Sequence, residues 1–461
     1  MTLQRLPSSF RDPSGFLFHH RGTLYRYVAA SYARHYDALV SGGLYQELTL
    51  AELLIPHEEA VPWDEDTRGA HRILRPEALP FVSYPYEWCF GELKAAALAT
   101  LEIQQRALAR GMILKDASAY NVQFRRGRPI LIDTLSFEAY QEGSPWIAYR
   151  QFCEHFLAPL MLMGRVHIEA GRFLREFLDG VPLEVAARVL GARACVSPSA
   201  LIHVRLHARS IRRFGGTNAA APDRLRSLSR RALGALVESL VAAVRGLEWQ
   251  PRGTQWADYG QTHGYAPETL EAKRRIVADS LTRARPATVW DLGANTGDFS
   301  RLAVRGGASV IAFDADPAAV ELNYRQVVAD GEPRILPLLM DLANPSPSLG
   351  WDLRERMSLV ERGPADAILA LALVHHLAIS RNLPFDLIAQ SLARLGRDLI
   401  IEYVPKSDPQ AQRLLRSRAD IFGAYDREAF EHAFKLRFRV IERADLPESG
   451  RIIYSMARNE A

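Results

Sequence analysis

Residues 289–300 read Val-Trp-Asp-Leu-Gly-Ala-Asn-Thr-Gly-Asp-Phe-Ser, and Asp314 closes the next apolar run. No other feature constrains the fold as tightly. A strand over residues 288–290 runs into a turn holding Gly293 and Gly297, and a helix starts near Asp298. Glycines at such a turn let the backbone take up positive φ and approach a ligand. A second strand, residues 310–313, sets Asp314 beside that turn, about twenty residues after the first glycine. A carboxylate at this edge of a parallel sheet can accept hydrogen bonds from both hydroxyls of a ribose.

The spacing is D-x-G-x-x-x-G, not the G-x-G-x-x-G that seats a pyrophosphate on a helix N-terminus. Asp291 and Asp298 flank the loop, and two carboxylates repel a pyrophosphate. They suit a ligand that carries an amino group and a sulfonium. The stretch resembles the first motif of class I S-adenosylmethionine-dependent methyltransferases, and the resemblance covers residues 255–461. It implies an α/β fold with a Rossmann-like, seven-stranded sheet and S-adenosyl-L-methionine as cofactor. In this sequence it implies Asp314 on the ribose, Gly293 and Gly297 at the amino-acid end, and Asp291 and Asn295 in the same loop. Asp341 follows a third strand at 334–340, and the corresponding family position contacts adenine. A segment ahead of the first motif often covers the cofactor in this family, which makes Tyr259, Tyr265 and Lys273 candidates for that cover.

A fourth strand is expected over 367–374, ending at His375-His376, and a fifth over 399–401, ending at Glu402-Tyr403. The fourth is a continuous apolar run, as suits a strand buried on both faces. Polar residues at strand ends line the ligand crevice of an open α/β sheet. Imidazole titrates near neutrality and can take a proton from a hydroxyl or amine, so His375, His376 and Glu402 are the candidate catalytic residues. The competing reading is that the histidines only cap the strand end, because an in-line displacement can run on orientation alone. Strand-like runs at 438–442 and 452–456 would supply an antiparallel final pair.

The N-terminal half carries a second pattern. A helix over 90–112 ends near Gly111, then come Lys115-Asp116-Ala117-Ser118-Ala119-Tyr120-Asn121, a hairpin around Gly127, and Asp133. The order is similar to the kinase fold, especially its aminoglycoside-phosphotransferase branch, over residues 10–210. The resemblance implies an α+β domain in which Asp116 accepts a substrate hydroxyl proton while Asn121 and Asp133 hold magnesium. The sequence departs from that family. Thr134-Leu135-Ser136 stands where Phe-Gly is usual, and residues 12–15 form only a turn in place of a glycine-rich loop. The chain has five lysines, none of them before Lys94, and Lys94 falls in the helix that precedes the catalytic loop. Arg26, in a strand-like run at 24–28, is the substitute cation, although a guanidinium is not an equivalent point charge. The expectation is a kinase-shaped domain used for binding rather than phosphate transfer.

The two halves together, with Asp133-Thr134-Leu135-Ser136-Phe137-Glu138 and Val374-His375-His376-Leu377 beside the glycine motif, resemble bacterial methyltransferases of the host-specific nodulation type. The resemblance supports the reaction class and leaves the acceptor open. Methyl transfer is the leading expectation; the alternatives are a bifunctional methyltransferase/phosphotransferase and a non-catalytic, cofactor-binding regulatory protein.

At 461 residues the chain exceeds one ordinary core. The expected division is a kinase-like domain over 1–210, a basic linker and helix over 211–250, and a methyltransferase domain over 251–461. A net charge of +4 does not by itself argue for nucleic acid. Segment 205–231 carries eight arginines against one acid, Asp223. A nucleic-acid contact there is the alternative to a solvated linker, which is favoured. Cys89, Cys153 and Cys195 lie far apart without metal spacing, so no metal site is expected and a reducing compartment fits. With no signal-peptide pattern and apolar runs too short to span a bilayer, a cytoplasmic protein with no membrane partner is expected.

Overall fold

The computed structural model describes residues 4–60, 67–191, 203–204, 229–251, 266–416 and 420–460. Tyr259, Tyr265, Cys195 and positions 205–228 of the arginine-rich segment lie outside them. The chain divides into two compact units: residues 1–250 with 349–356, and residues 251–348 with 357–461. Among the described residues no helix is long and apolar enough to cross a membrane.

The first unit opens with strands β1 (Gln4–Arg5), β2 (Gly15–His20), β3 (Thr23–Ala29), β4 (His57–Ala60) and β5 (Ala70–Pro76). They form one antiparallel sheet in the order β1-β2-β3-β5-β4. Leu17 and Leu74 flank Arg26 across the strands, which fixes Arg26 on the middle strand of the sheet. The helix Phe90–Ala109 follows, and the helix Arg230–Arg245 packs against it. Lys94 belongs to that packing: its Nζ donates to the carbonyls of Arg245 at 2.9 Å and Leu247 at 2.7 Å. A cation on the last carbonyls of a helix satisfies acceptors that have no partner within it. Beyond the first helix, β6 (Met112–Leu114) pairs with β9 (Phe137–Ala139), and β7 (Val122–Arg125) pairs with β8 (Arg128–Leu131) in a hairpin. Arg126 and Gly127 turn that hairpin at positive φ.

The second unit is built on a seven-stranded sheet. Its strands are β10 (Thr288–Leu292), β11 (Ser309–Asp314), β12 (Ile335–Leu339), β13 (Ala365–Ala370), β14 (Gly396–Tyr403), β15 (Phe438–Asp445) and β16 (Ile452–Arg458). The order across the sheet is β12-β11-β10-β13-β14-β16-β15. Neighbours from β12 to β14 are parallel, and β16 runs antiparallel to both β14 and β15. This is the seven-stranded sheet with an antiparallel final pair that the sequence led us to expect. Val289, Val310, Ala312, Ala367, Leu369 and Ile400 form its buried face, against which Val277, Leu281, Ala303 and Val304 of two helices pack. Successive connections leave β10 toward opposite edges, so β10 and β13 flank a topological switch point, where open α/β sheets bind ligands at their C-terminal edge.

One expected boundary is corrected. The fourth strand stops at Ala370 and does not run on to Val374. Ala372 takes φ 50 and turns the chain out of the sheet. The apolar run misleads because Leu371 and Val374 are buried after leaving the ladder, at 7% and 1% exposure. Apolarity reports burial, and burial continues where the strand does not.

Candidate functional site

The glycine turn after β10 is tied to the end of β11. The Gly293 and Ala294 N–H groups donate to the Phe313 carbonyl at 2.8 and 2.9 Å. The Asn295 N–H donates to Asp314 Oδ2 at 2.7 Å, and the Asp316 N–H donates to Oδ1 at 2.9 Å. Gly293, Asn295 and Gly297 sit at φ 75, 50 and 84. The two glycines are required for different reasons. A Cβ on Gly293 would meet the Leu373 side chain at 3.3 Å, across the switch point. A Cβ on Gly297 would lie 2.5 Å from Asn323 Oδ1, inside the protein. Gly293 therefore keeps the crevice open, whereas Gly297 lets the helix Asp298–Arg305 close onto its neighbour.

The acids divide in the same way. Burial pushes Asp314 up to about 6, against the opposing effect of its backbone N–H donors. Burial also pushes Asp291 up to about 6, and its Oδ2 accepts the Ser300 hydroxyl at 2.6 Å. Asp291 is thus a brace between β10 and the following helix. Asp298 stands in the first turn of that helix with its side chain 65% exposed. Asp341, after β12, accepts from the Ala343 N–H at 2.9 Å and from Arg381 at 3.1 Å. The expected cover residue Tyr259 lies outside the described residues.

The opposite lip is the loop after β13. It carries Leu373, then His375, then a π-helix over His376–Ser380. Single-turn π segments concentrate at functional sites. The two imidazoles are in contact, with centroids 4.1 Å apart and ring planes tilted by 42°. His375 is 1% exposed, and neither of its ring nitrogens has a hydrogen-bond partner among the described residues. Burial, then His376, Arg451 and Lys273, hold His375 far below the usual imidazole range. Burial and Arg451 bring His376 down to about 4. Both rings are neutral near pH 7 and offer lone pairs rather than charge.

Beneath this lip lies a buried cluster. Glu402 Oε2 accepts from Lys273 Nζ at 2.7 Å and from the Ala372 N–H at 2.8 Å, while Oε1 accepts from Arg451 at 3.2 Å. Arg451 also grips Asp408 through two bonds of 2.7 and 3.1 Å. Two cations and two carboxylates balance, as buried charges must. Lys273, expected as a cover residue, is 2% exposed and held by Glu402. Glu402, expected as a catalytic residue, lies within β14 at 0% exposure with its carboxylate engaged by Lys273, Arg451 and the Ala372 N–H. Arg451 was missed, because nothing local marks an arginine in a turn whose partners lie more than forty residues away.

In the first unit, Asp116, Asn121 and Asp133 do converge. Asp116 Oδ1 accepts from the Ser118 N–H at 3.0 Å and from Gln151 at 2.8 Å. Burial and the nearby Asp133 raise Asp116, while Ser118, Asn121 and Gln151 oppose the rise. Asn121 reaches Ser136 at 3.4 Å, and the Ser136 hydroxyl donates to Asp133 Oδ2 at 2.5 Å. The other oxygen of Asp133 is ion-paired with Arg26. Lys115 donates to Ser14 Oγ at 2.6 Å, anchoring the 12–15 turn. Among the described residues no group of three or more His, Cys, Asp or Glu is placed to hold a metal ion. Gln151, which orients Asp116 and also accepts from the Ala117 N–H at 2.8 Å, has no signature in the sequence.

The strand order, the positive-φ turn and the carboxylate closing β11 define the second unit as a class I methyltransferase fold. More particularly, the chain belongs to the family of the nodulation protein NoeA. It is 36% identical over 462 residues to that protein of Rhizobium meliloti (strain 1021), across 99% of this chain and 96% of that one. No protein-family model matches the chain. Among solved structures it is similar to the bifunctional kinase-methyltransferase WbdD, with 18% identity over 41% of this chain and 39% of that chain, at a TM-score of 0.29. It thus aligns with less than half of WbdD. It is also similar to the N-methyltransferase NodS from Bradyrhizobium japonicum WM9, with 10% identity over 42% of this chain and 98% of that chain, at a TM-score of 0.30. A third is the magnesium protoporphyrin IX methyltransferase ChlM from Synechocystis PCC 6803 with bound SAH, with 19% identity over 41% of this chain and 84% of that chain, at a TM-score of 0.29.

Proposed function

We propose that this chain is an S-adenosylmethionine-dependent methyltransferase. The observation that carries the reading is Asp314, seated at the switch-point edge of the sheet with the Gly293–Asn295 turn folded against its carboxylate. The residues fit the cofactor. Asp314 is a half-buried acceptor suited to ribose hydroxyls, Gly293 holds open the approach, and Asp298 disfavours a pyrophosphate in its place. Asn295 and Gly297 shape the amino-acid end, and Asp341 lies at the position for adenine. Asp291 acts one layer down, through Ser300. When bound, S-adenosylmethionine supplies an electrophilic methyl group on a sulfonium.

The chain's own part in the reaction is orientation and water exclusion. His376 is partly exposed and neutral, and it presents a lone pair to an acceptor O–H or N–H, fixing the nucleophile's direction. His375 backs it. A conjugate acid near 4 makes His376 a weak base, so alignment rather than proton removal is its contribution. Residues 1–210 act as a kinase-like module that binds the acceptor through the Asp116–Asn121 loop, residues 211–250 join the halves, and residues 251–461 carry out transfer. Phosphate transfer is not part of the proposal, because Arg26 and Ser136 engage both oxygens of Asp133. The relative's name gives a process, nodulation, and no acceptor.

The experiment is native mass spectrometry of the purified full chain, followed by incubation of methyl-labelled S-adenosylmethionine with fractionated cell extract. Retained cofactor or its demethylated product, and label appearing in one fraction, are expected. Failure of the chain to bind either compound would overturn the reading.

A further inference from the structure

Ala372 is the residue at which the chain leaves β13 for the histidine loop, and it does so at φ 50. That region is disfavoured for any residue with a Cβ and persists only where surroundings enforce it. The enforcing contact is visible: the Ala372 N–H donates to Glu402 Oε2 at 2.8 Å. The same oxygen takes Lys273 Nζ at 2.7 Å, from the helix Pro267–Ala284. The other oxygen takes Arg451, which Asp408 holds in turn at the start of the helix Pro409–Leu415. Lys273, Glu402 and Arg451 are each 3% exposed or less. A carboxylate clamped this way cannot move without leaving a cation unpaired, so it is a fixed point in the unit.

We propose that Glu402 is a positioning residue for the histidine pair: held by Lys273 and Arg451, it pins Ala372 in its left-handed conformation and thereby aims His375 and His376 at the crevice. The inference rests on the methyltransferase reading for what the histidines then do. It gives the buried cluster a task that packing alone would not require. A charge-balanced core needs no bond to a loop amide, and a loop with no required direction needs no strained alanine. It also explains why His375 can be enclosed without a hydrogen-bond partner of its own among the described residues. The backbone three residues earlier sets its place.

The test uses the full chain and imidazole NMR, with the ring signals of His375 and His376 assigned from single His→Gln variants. Glu402→Asp keeps the charge that balances Lys273 and Arg451 but withdraws the carboxylate from Ala372. Both ring signals are expected to shift in a protein that still melts cooperatively. Adding Ala372→Gly is expected to return them toward the wild-type positions, since glycine adopts this φ unaided. Unmoved signals in the folded Glu402→Asp variant, or a shift that glycine does not reverse, would overturn the proposal. Should Glu402→Asp fail to fold, recovery of folding by Ala372→Gly supports the role, and no recovery makes Glu402 a purely structural ion-pair partner. The readout needs no bound cofactor, so it judges positioning separately from S-adenosylmethionine binding.

Discussion

Arg26 and Asp133 form an ion pair in the first unit, with 12% and 13% of their side chains exposed. In a kinase-like site the aspartate at this point would face a metal and a cation from the N-terminal sheet would face phosphate. Here the two candidates satisfy each other. A partly enclosed guanidinium–carboxylate pair is not readily displaced, because separating it leaves both charges desolvated.

The full chain is therefore expected to show no ATP hydrolysis and no phosphorylation of added substrates in magnesium. A coupled ATPase assay checks this. Turnover that disappears in Asp133→Ala would restore the bifunctional reading.

Cofactor binding is expected to depend on Asp314. Asp314→Ala should weaken binding of S-adenosylhomocysteine by about 1.5–3 kcal/mol, the range for hydrogen bonds to a charged group. With burial setting the free carboxylate near 6, protonation below that pH removes its charge and weakens it as an acceptor. Affinity should accordingly fall between pH 7.5 and 5.5 in the wild type and stay flat in the variant. Calorimetry at the two pH values measures both, and equal affinities for wild type and variant would remove the ribose assignment.

Asp291 makes a prediction of opposite character. Its folded-state value, about 6, lies above the ordinary aspartate value of 3.8, so the folded protein holds this proton more tightly than the unfolded chain does. Its contribution to stability is neutral below pH 4 and becomes a cost as pH rises, complete above 6. That cost is about 3 kcal/mol at 1.36 kcal/mol per pH unit. Asp291→Asn cannot ionise, so its stability relative to wild type should rise by roughly that amount between pH 4 and 7. Urea titrations at the two ends decide it; a pH-independent difference would mean that Asp291 titrates normally.

The two turn glycines should differ on substitution. Each alanine variant incurs about 1–2 kcal/mol for its left-handed backbone. Gly297→Ala adds a collision with buried Asn323, whereas Gly293→Ala presses only on Leu373 at the crevice. Chemical denaturation is expected to rank Gly297→Ala as clearly the less stable. Gly293→Ala should instead lose S-adenosylhomocysteine affinity out of proportion to its stability. Equal losses of stability would contradict the division of labour drawn here.

The glycine turn, Asp314 and the parallel strands were legible in the sequence because their determinants are local. Positive φ selects glycine, a doubly buried strand is apolar throughout, and a short βαβ unit fixes how far apart its strand ends lie. Asp116, Asn121 and Asp133 were legible because one helix–loop–hairpin carries them all. The end of β13 was placed too late because apolarity does not distinguish a ladder residue from a buried loop residue. The ion pairs of Lys273 and Glu402 were not legible, because in the sequence each charge is read without its partner.

What the sequence determined by itself was therefore the sheet, its switch point and the acid beside the turn. Which charges neutralise which was decided only by tertiary structure. Arg26 meets Asp133 across 107 residues, Lys273 meets Glu402 across 129, and Arg451 meets Glu402 across 49. An ion pair depends on the distance between two groups in space. The local rules of strand and helix leave that distance open until the chain packs.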